Sequence, residues 1–378
     1  MKNAPLILYR YTIPLRKPFI TASGDILKRE GFLLGDGQGM WTEIAPLPGF
    51  SAESLDETGA FLTEHRNRIR SDFRSRSLDG LLEDSTLQPA LSRLPSVRFG
   101  LSMLFEQQKA TAAGLPLYTY WKNLLFPKIQ RNRVAPVEGY VRCNALVGIM
   151  EPEKRVQVLR FRKECGFRTV KVKVPGDPGE AFKVIRDTCR TFPDMMFRFD
   201  ANRSFSPEQC SSLFQQLQGE LKEDGWPKNI AYIEEPLAEP DRETISALLP
   251  FGIPLAFDES VRTPNDIRAL ESHAAIKHVV IKPMLFGSFP ELESAIRSKM
   301  TVVISSTFET AVGRRLLAHL ASVCNIKRDT AHGLDTGSLL KEDFAPREAG
   351  PHIHLGEKFG LGLSVDEGHG WLERVTGF

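Results

Sequence analysis

Hydrophobic and polar positions follow two different rhythms along the chain. From about residue 137, short runs rich in β-branched and aromatic residues alternate with segments whose apolar positions recur every three or four residues. The first pattern predicts buried strands and the second predicts helices packed on them. The predicted strands cover residues 140–147, 169–174, 196–201, 230–235, 255–259, 279–282, 302–306 and 332–335, with seven helices between them. Gly166 ends the first helix, and Ser206-Pro207 and Thr263-Pro264 open later ones with an N-cap and a first-turn proline. Strands alternating with helices pair in parallel, and eight of them predict a closed α/β barrel. The alternative is a doubly wound open sheet, but neither a GxGxxG nor a GxxxxGK[ST] stretch supports it.

The region before residue 137 lacks that alternation. Residues 7–11 and 31–34 read as strands, 21–25 as a polar connection, and 41–50 as a proline-interrupted loop. Helical periodicity covers 52–70, with Ser51 as its expected N-cap, and again 97–112. This predicts a separate α+β domain.

Composition narrows the function classes. At 42% hydrophobic and 25% charged residues the chain is of ordinary globular type. A net charge of +2 gives no electrostatic case for nucleic acid or an anionic membrane. No apolar run approaches the ~20 residues of a membrane span, and residues 1–5 lack the apolar core of a secretory signal. Cys143, Cys165, Cys189, Cys210 and Cys324 show no CxxC or CxxH spacing. They predict a reducing, cytoplasmic setting without disulfides or a zinc site. The expected partner is a small molecule.

The candidate chemistry starts at Thr169-Val170-Lys171-Val172-Lys173-Val174, a strand that carries two lysines on one side. On an edge strand such lysines face water and hinder aggregation. In a barrel, burial and mutual repulsion favour the neutral amine, as a general base requires. Barrel sites form where strands end. The polar residues at those ends are Lys173, Asp200, Glu234, Asp258, Lys282 and Ser306, separated by 27, 34, 24, 24 and 24 residues. Each step is one strand-helix unit, so neighbouring staves carry these groups at similar height. Singly each has an ordinary explanation, such as a helix cap for Asp258 or a turn at Glu235-Pro236. Together they bring three carboxylates into one volume, which requires protonation or a cation. Their oxygen ligands favour Mg²⁺, with Mn²⁺ as the alternative. Lysines on both sides of such an ion suit removal of a proton α to a carboxylate, with the ion stabilising the enediolate.

At these residues the chain resembles the enolase superfamily, and within its muconate-lactonising-enzyme-like subgroup the o-succinylbenzoate synthase family. The matching stretches are Lys171-Val172-Lys173, Arg198-Phe199-Asp200-Ala201-Asn202, Ile233-Glu234-Glu235-Pro236, Asp258-Glu259-Ser260 and Ile281-Lys282-Pro283. Ser305-Ser306-Thr307-Phe308-Glu309, Gly333-Leu334-Asp335-Thr336, and in the first domain Glu43-Ile44-Ala45-Pro46-Leu47-Pro48-Gly49-Phe50-Ser51 continue the likeness. The resemblance implies a modified TIM barrel, (β/α)7β, over 137–336. An α+β capping domain would comprise 1–136, and 337–378 would return to it.

It further implies that Asp200, Glu234 and Asp258 bind Mg²⁺, that Lys173 is the base, and that Lys282 stays cationic over the opposite face of a substrate ring. Lys171 would tune Lys173. Arg198, Asn202, Ser305, Ser306 and Gly333 would contact or orient the substrate. The implied reaction is syn dehydration of 2-succinyl-6-hydroxy-2,4-cyclohexadiene-1-carboxylate to o-succinylbenzoate in menaquinone biosynthesis. The same two lysines suit an N-acylamino acid racemase or dipeptide epimerase. A metal-free Schiff-base aldolase and a non-catalytic barrel are the more distant alternatives. The chain departs from the family pattern at Thr307-Phe308, in the capping loop 21–28, and in a basic surface insertion expected over 121–136.

Overall fold

The computed structural model describes residues 6–21, 24–77, 79–128, 139–224, 228–273, 275–345 and 350–378. Its strands, in chain order, are β1 (Ile7–Thr21), β2 (Gly24–Gly35), β3 (Trp41–Ile44), β4 (Tyr140–Arg142), β5 (Ala145–Val147), β6 (Thr169–Lys173) and β7 (Met196–Asp200). They continue with β8 (Ile230–Glu234), β9 (Leu255–Phe257), β10 (His278–Ile281), β11 (Thr301–Ile304), β12 (His352–His354) and β13 (Leu372–Arg374).

Strands β5 to β11 form one parallel sheet in sequence order, with helices packed on its outer face. Side chains alternate between the two faces of this sheet. Val170 and Val172 of β6 are fully buried in the large apolar core shared with the helices, while Lys171 and Lys173 point to the other face. The register sets Lys171 beside Arg198, Lys173 beside Asp200, and Asp200 beside Glu234. A smaller apolar group of Tyr232, Ala256, Val280 and Val303 fills the space inside the sheet.

The eighth stave is shorter than the sequence predicts. Only residues 332–333 bridge the two sheet edges, through Cys143–His332 and Ser305–Gly333 pairing. The amides of Asn144 and Ser306 donate to the carbonyls of His332 and Gly333, both at 2.9 Å, which closes the barrel. A Cβ on Gly333 would lie 2.8 Å from Ser305 Oγ, so any larger residue would have to displace that hydroxyl. The predicted first strand, 140–147, is also broken. Its first part, β4, pairs with β12 instead, because the Cys143 amide turns away to the Pro351 carbonyl.

The N-terminal region forms an antiparallel sheet in the order β13-β1-β2-β3, so the last residues of the chain return to the first strand. The β1–β2 hairpin extends to Thr21 and Gly24, much further than its apolar pattern suggests. Arg16, Lys17 and two prolines interrupt that pattern. Ala22 and Ser23, at the centre of the expected polar connection, lie outside the described residues.

Two other local readings change. The first helix, Leu55–Glu64, is capped by Ser54 in a reciprocal box with Glu57, while Ser51 Oγ accepts from the Leu47 amide at 2.8 Å. Trp121 is no part of a surface insertion. It lies fully buried in the helix Leu117–Leu125, donates to Glu106 at 2.9 Å, and stacks on Phe289. Of the expected insertion, 129–136 lie outside the described residues. The five cysteines are not joined in disulfides, and among the described residues no helix is long and apolar enough to cross a membrane.

Glu43 of β3 fastens the N-terminal sheet to the barrel. Its fully buried carboxylate accepts from Tyr11 Oη at 2.5 Å and from the amides of Thr310 and Gly313 at 3.0 and 2.9 Å. Those amides start the last barrel helix, Ala311–Cys324, so an acid from one domain caps a helix of the other. A Cβ on Gly313 would come within 2.7 Å of the Glu43 carboxylate, which fixes glycine there. Burial, then the nearby Glu309, raises the Glu43 pKa. Glu43→Ala leaves these donors buried without acceptors and should cost about 2–4 kcal/mol. Urea unfolding checks this, and an unchanged midpoint would contradict the fastening role.

Candidate active site

The polar groups predicted at strand ends do gather at one mouth of the barrel. Asp200, Glu234 and Asp258 end or follow β7, β8 and β9, and each is at most 3% exposed. Desolvated acids so close together need compensation. Lys171 reaches across from β6 with its ammonium 2.8 Å from Asp200 Oδ2 and 2.7 Å from Glu234 Oε1. Lys282, directly after β10, pairs with Asp258 Oδ2. Counting staves round the closed barrel, β6 and β10 are diametrically opposed, so the lysines enter the mouth from facing sides.

For Lys171 these contacts reverse the expectation that crowding drives the amine toward neutrality. Burial does lower the Lys171 ammonium. Asp200, Glu234 and Asp258 outweigh it and hold its pKa well above the ordinary lysine value. Lys282 follows the same balance, with burial opposed by Asp258 and Glu259. Glu234 shifts upward because burial and its two acidic neighbours exceed the pull of Lys171. Asp258 shifts downward, since Lys282 and Lys171 overcome its burial.

A residue that strand-end spacing does not single out organises this rim. Glu235, fully buried at φ +43°, directs its carboxylate to the next strand end. It accepts from the Asp258 amide at 2.8 Å, the Ser260 amide at 3.3 Å, the Ser260 hydroxyl, and Arg203 Nε at 3.2 Å. One side chain thus sets the position of the neighbouring acid. The Glu-Glu-Pro doublet is its only signal in the sequence.

Three other predicted residues take varied places. The Asn202 amide donates to Asp200 Oδ1 at 3.0 Å and its side chain to Glu259 at 3.2 Å, so it orders the acidic rim. Ser306 Oγ is engaged by Glu309 and Thr336 at 2.5 and 2.8 Å, and it also accepts from the Phe308 amide. Ser305 Oγ lies against Gly333 inside the barrel.

Arg198 is not brought to the mouth. Two residues before Asp200 on the same strand face, it sits one layer deeper. There it donates to Asn144 Oδ1, Thr330 Oγ1 and the Ala331 carbonyl at 2.7–2.8 Å and stacks over Tyr232. Its donors are engaged within the barrel, because a rise of about 3.3 Å per residue separates that layer from the Asp200 layer.

The N-terminal domain supplies the roof. Phe19 of β1 lies edge-to-face with Phe308, centroids 4.6 Å apart, within an apolar group that includes Ile26, Leu47 and Phe50. Phe308 holds φ +65°, a backbone state costing a bulky residue about 1–3 kcal/mol. Its amide donates to Ser306 Oγ at 3.0 Å, which helps maintain that turn.

The donor set suits a hard divalent cation: three buried carboxylates, all oxygen, with more acid than the two contacting ammonium groups neutralise. Among the described residues no three His, Cys, Asp or Glu side chains already stand in a metal-binding group. Lys171 lies against Asp200 and Glu234, and Lys282 against Asp258. Lys171→Met should therefore destabilise the fold by about 3–5 kcal/mol at pH 7 by stranding Asp200 and Glu234. Urea unfolding at pH 7 checks this, and an unchanged midpoint would contradict the charge balance.

A family model described as enolase C-terminal domain-like matches residues 154–369, and one described as MenC, N-terminal domain, matches residues 1–107. Among curated relatives, an o-succinylbenzoate synthase of Vibrio cholerae is 29% identical over 370 residues, covering 93% of this chain and 96% of its own. One from Proteus mirabilis is 28% identical over 356 residues, covering 90% and 92%. Among solved structures, an L-Ala-D/L-Glu epimerase from Bacillus subtilis has a TM-score of 0.75 at 23% identity, covering 96% of this chain and 99% of its own. An N-succinyl Arg/Lys racemase from Bacillus cereus has a TM-score of 0.76 at 18% identity, covering 98% of each. The structural likenesses speak for the fold, and the family match spans more than half of the sequence: the chain belongs to the enolase C-terminal domain-like family, within the enolase superfamily.

Proposed function

We propose that the chain is an o-succinylbenzoate synthase, dehydrating 2-succinyl-6-hydroxy-2,4-cyclohexadiene-1-carboxylate to o-succinylbenzoate in menaquinone biosynthesis. The observation that carries this reading is the pair of opposed staves, with Lys173 and Lys282 on either side of three buried carboxylates. The nearly full-length similarity to synthases of that name, at both domains, supports the choice of substrate.

In this reading Asp200, Glu234 and Asp258 hold Mg²⁺, with Mn²⁺ as a substitute. When bound, the ion supplies Lewis-acid stabilisation for charge developing on the substrate carboxylate. The Lys173 amine takes the proton α to that carboxylate. As an ammonium it then protonates the hydroxyl departing from the same ring face, so the elements of water leave syn and the ring becomes aromatic. Lys282, held by Asp258, keeps its positive charge on the opposite face and stabilises the electron-rich ring. Lys171 stays cationic against Asp200 and Glu234 and fixes the ligand side chains. The substrate is a small molecule, and the expected compartment is the cytoplasm.

The second reading, N-acylamino acid racemisation, draws on the same opposed lysines, which can exchange protons on two faces of one carbon. Incubation with each substrate in D₂O separates the two. Loss of the cyclohexadiene with aromatic product supports the synthase. α-Deuteration and racemisation of an N-succinyl amino acid without any dehydration would overturn it. Lys173→Ala should lower dehydration about 10²–10⁴-fold. EDTA should abolish turnover and Mg²⁺ restore it, whereas a Schiff-base enzyme would keep its activity.

A further inference from the structure

The three lysines at the barrel mouth are held in different ways. Lys171 and Lys282 are clasped by carboxylates. Among the described residues Lys173 has no such acid partner. Its ammonium lies over the face of Phe19, 5.6 Å from the ring centroid. Phe19 belongs to β1 of the N-terminal domain and Lys173 to the barrel, so the contact exists only where the two domains meet. The ring is braced by Phe308, itself kept in a costly left-handed turn.

The choice of an aromatic partner has a chemical consequence. A carboxylate would hold an ammonium by accepting its hydrogen bonds and would compete for any proton it carries. A ring face attracts the charge through its quadrupole but has no basic lone pair. It can therefore locate the nitrogen while leaving its protons free for a substrate. Leucine would fill similar space without that attraction, and tyrosine would keep it.

We propose that Phe19 is a positioning residue for Lys173: its ring face, braced by Phe308, locates the lysine nitrogen when the N-terminal domain is seated on the barrel. The catalytic consequence rests on Lys173 being the base of the proposed dehydration, but the contact itself does not. The ring should shift the Lys173 Hε resonance upfield in lysine-labelled protein, with the signal assigned by its loss in Lys173→Arg. That shift should vanish in Phe19→Leu and persist in Phe19→Tyr.

In the dehydration assay, Phe19→Leu should lower kcat about tenfold, equivalent to about 1.4 kcal/mol, with KM changed less than about twofold. Phe19→Tyr should recover most of that loss. An unshifted Lys173 resonance in the unsubstituted protein would overturn the proposal. So would equal kcat losses in the leucine and tyrosine variants, which would indicate a purely steric role. If the unsubstituted protein dehydrates nothing, the functional reading fails, and the resonance alone decides whether Phe19 positions Lys173.

Discussion

Three carboxylates shielded from water at one end of a barrel repel one another by several kcal/mol unless cations stand between them. Asp200, Glu234 and Asp258 impose that constraint, and the upper rim is built to meet it. Lys171 bridges the first two acids and Lys282 neutralises the third. Glu235 then ties the Asp258 backbone to its own strand end, with Arg203 completing the clamp. The rim is held by charge pairing more than by apolar packing, although apolar packing forms the wall beneath it.

The same constraint explains why the two domains meet as they do. A site of charged groups open to water would lose much of its electrostatic leverage. The β1–β2 hairpin covers the mouth with Phe19, and Glu43 pins the adjoining strand to the first turn of the last barrel helix. Two interactions of opposite kind, a ring over an ammonium and a buried acid on helix amides, thus set one domain against the other. Residues 340–341 add a backbone link to β1.

Much of this is legible in the sequence because barrel geometry converts spacing into position. A residue at the end of each strand recurs once per unit, so spacing alone groups Asp200, Glu234, Asp258 and Lys282. The seven longer staves follow from apolar periodicity in the same way. What stays hidden depends on contacts across long sequence separations. Glu43 looks like one acid in a strand until Gly313, 270 residues later, donates to it. Arg198 shares a strand face with Asp200, and alternation alone does not reveal that its donors bind groups one layer below. The direction of the Lys171 pKa shift is hidden for the same reason. That Lys171 sits on a buried strand is visible in the sequence, whereas the acids that outweigh its burial arrive from other strands. The hairpin exceeds its apolar pattern because its charged and proline positions mask a strand that gains its order by pairing.

Under the proposed function the barrel mouth would hold one hard divalent cation between its three acids. Titration of the metal-free protein with Mn²⁺, followed by electron paramagnetic resonance, tests it without reference to turnover. One ion per chain should bind, Mg²⁺ should displace it, and Glu234→Gln should weaken binding at least about tenfold. Absence of stoichiometric binding, or binding unaffected by that substitution, would contradict the assignment.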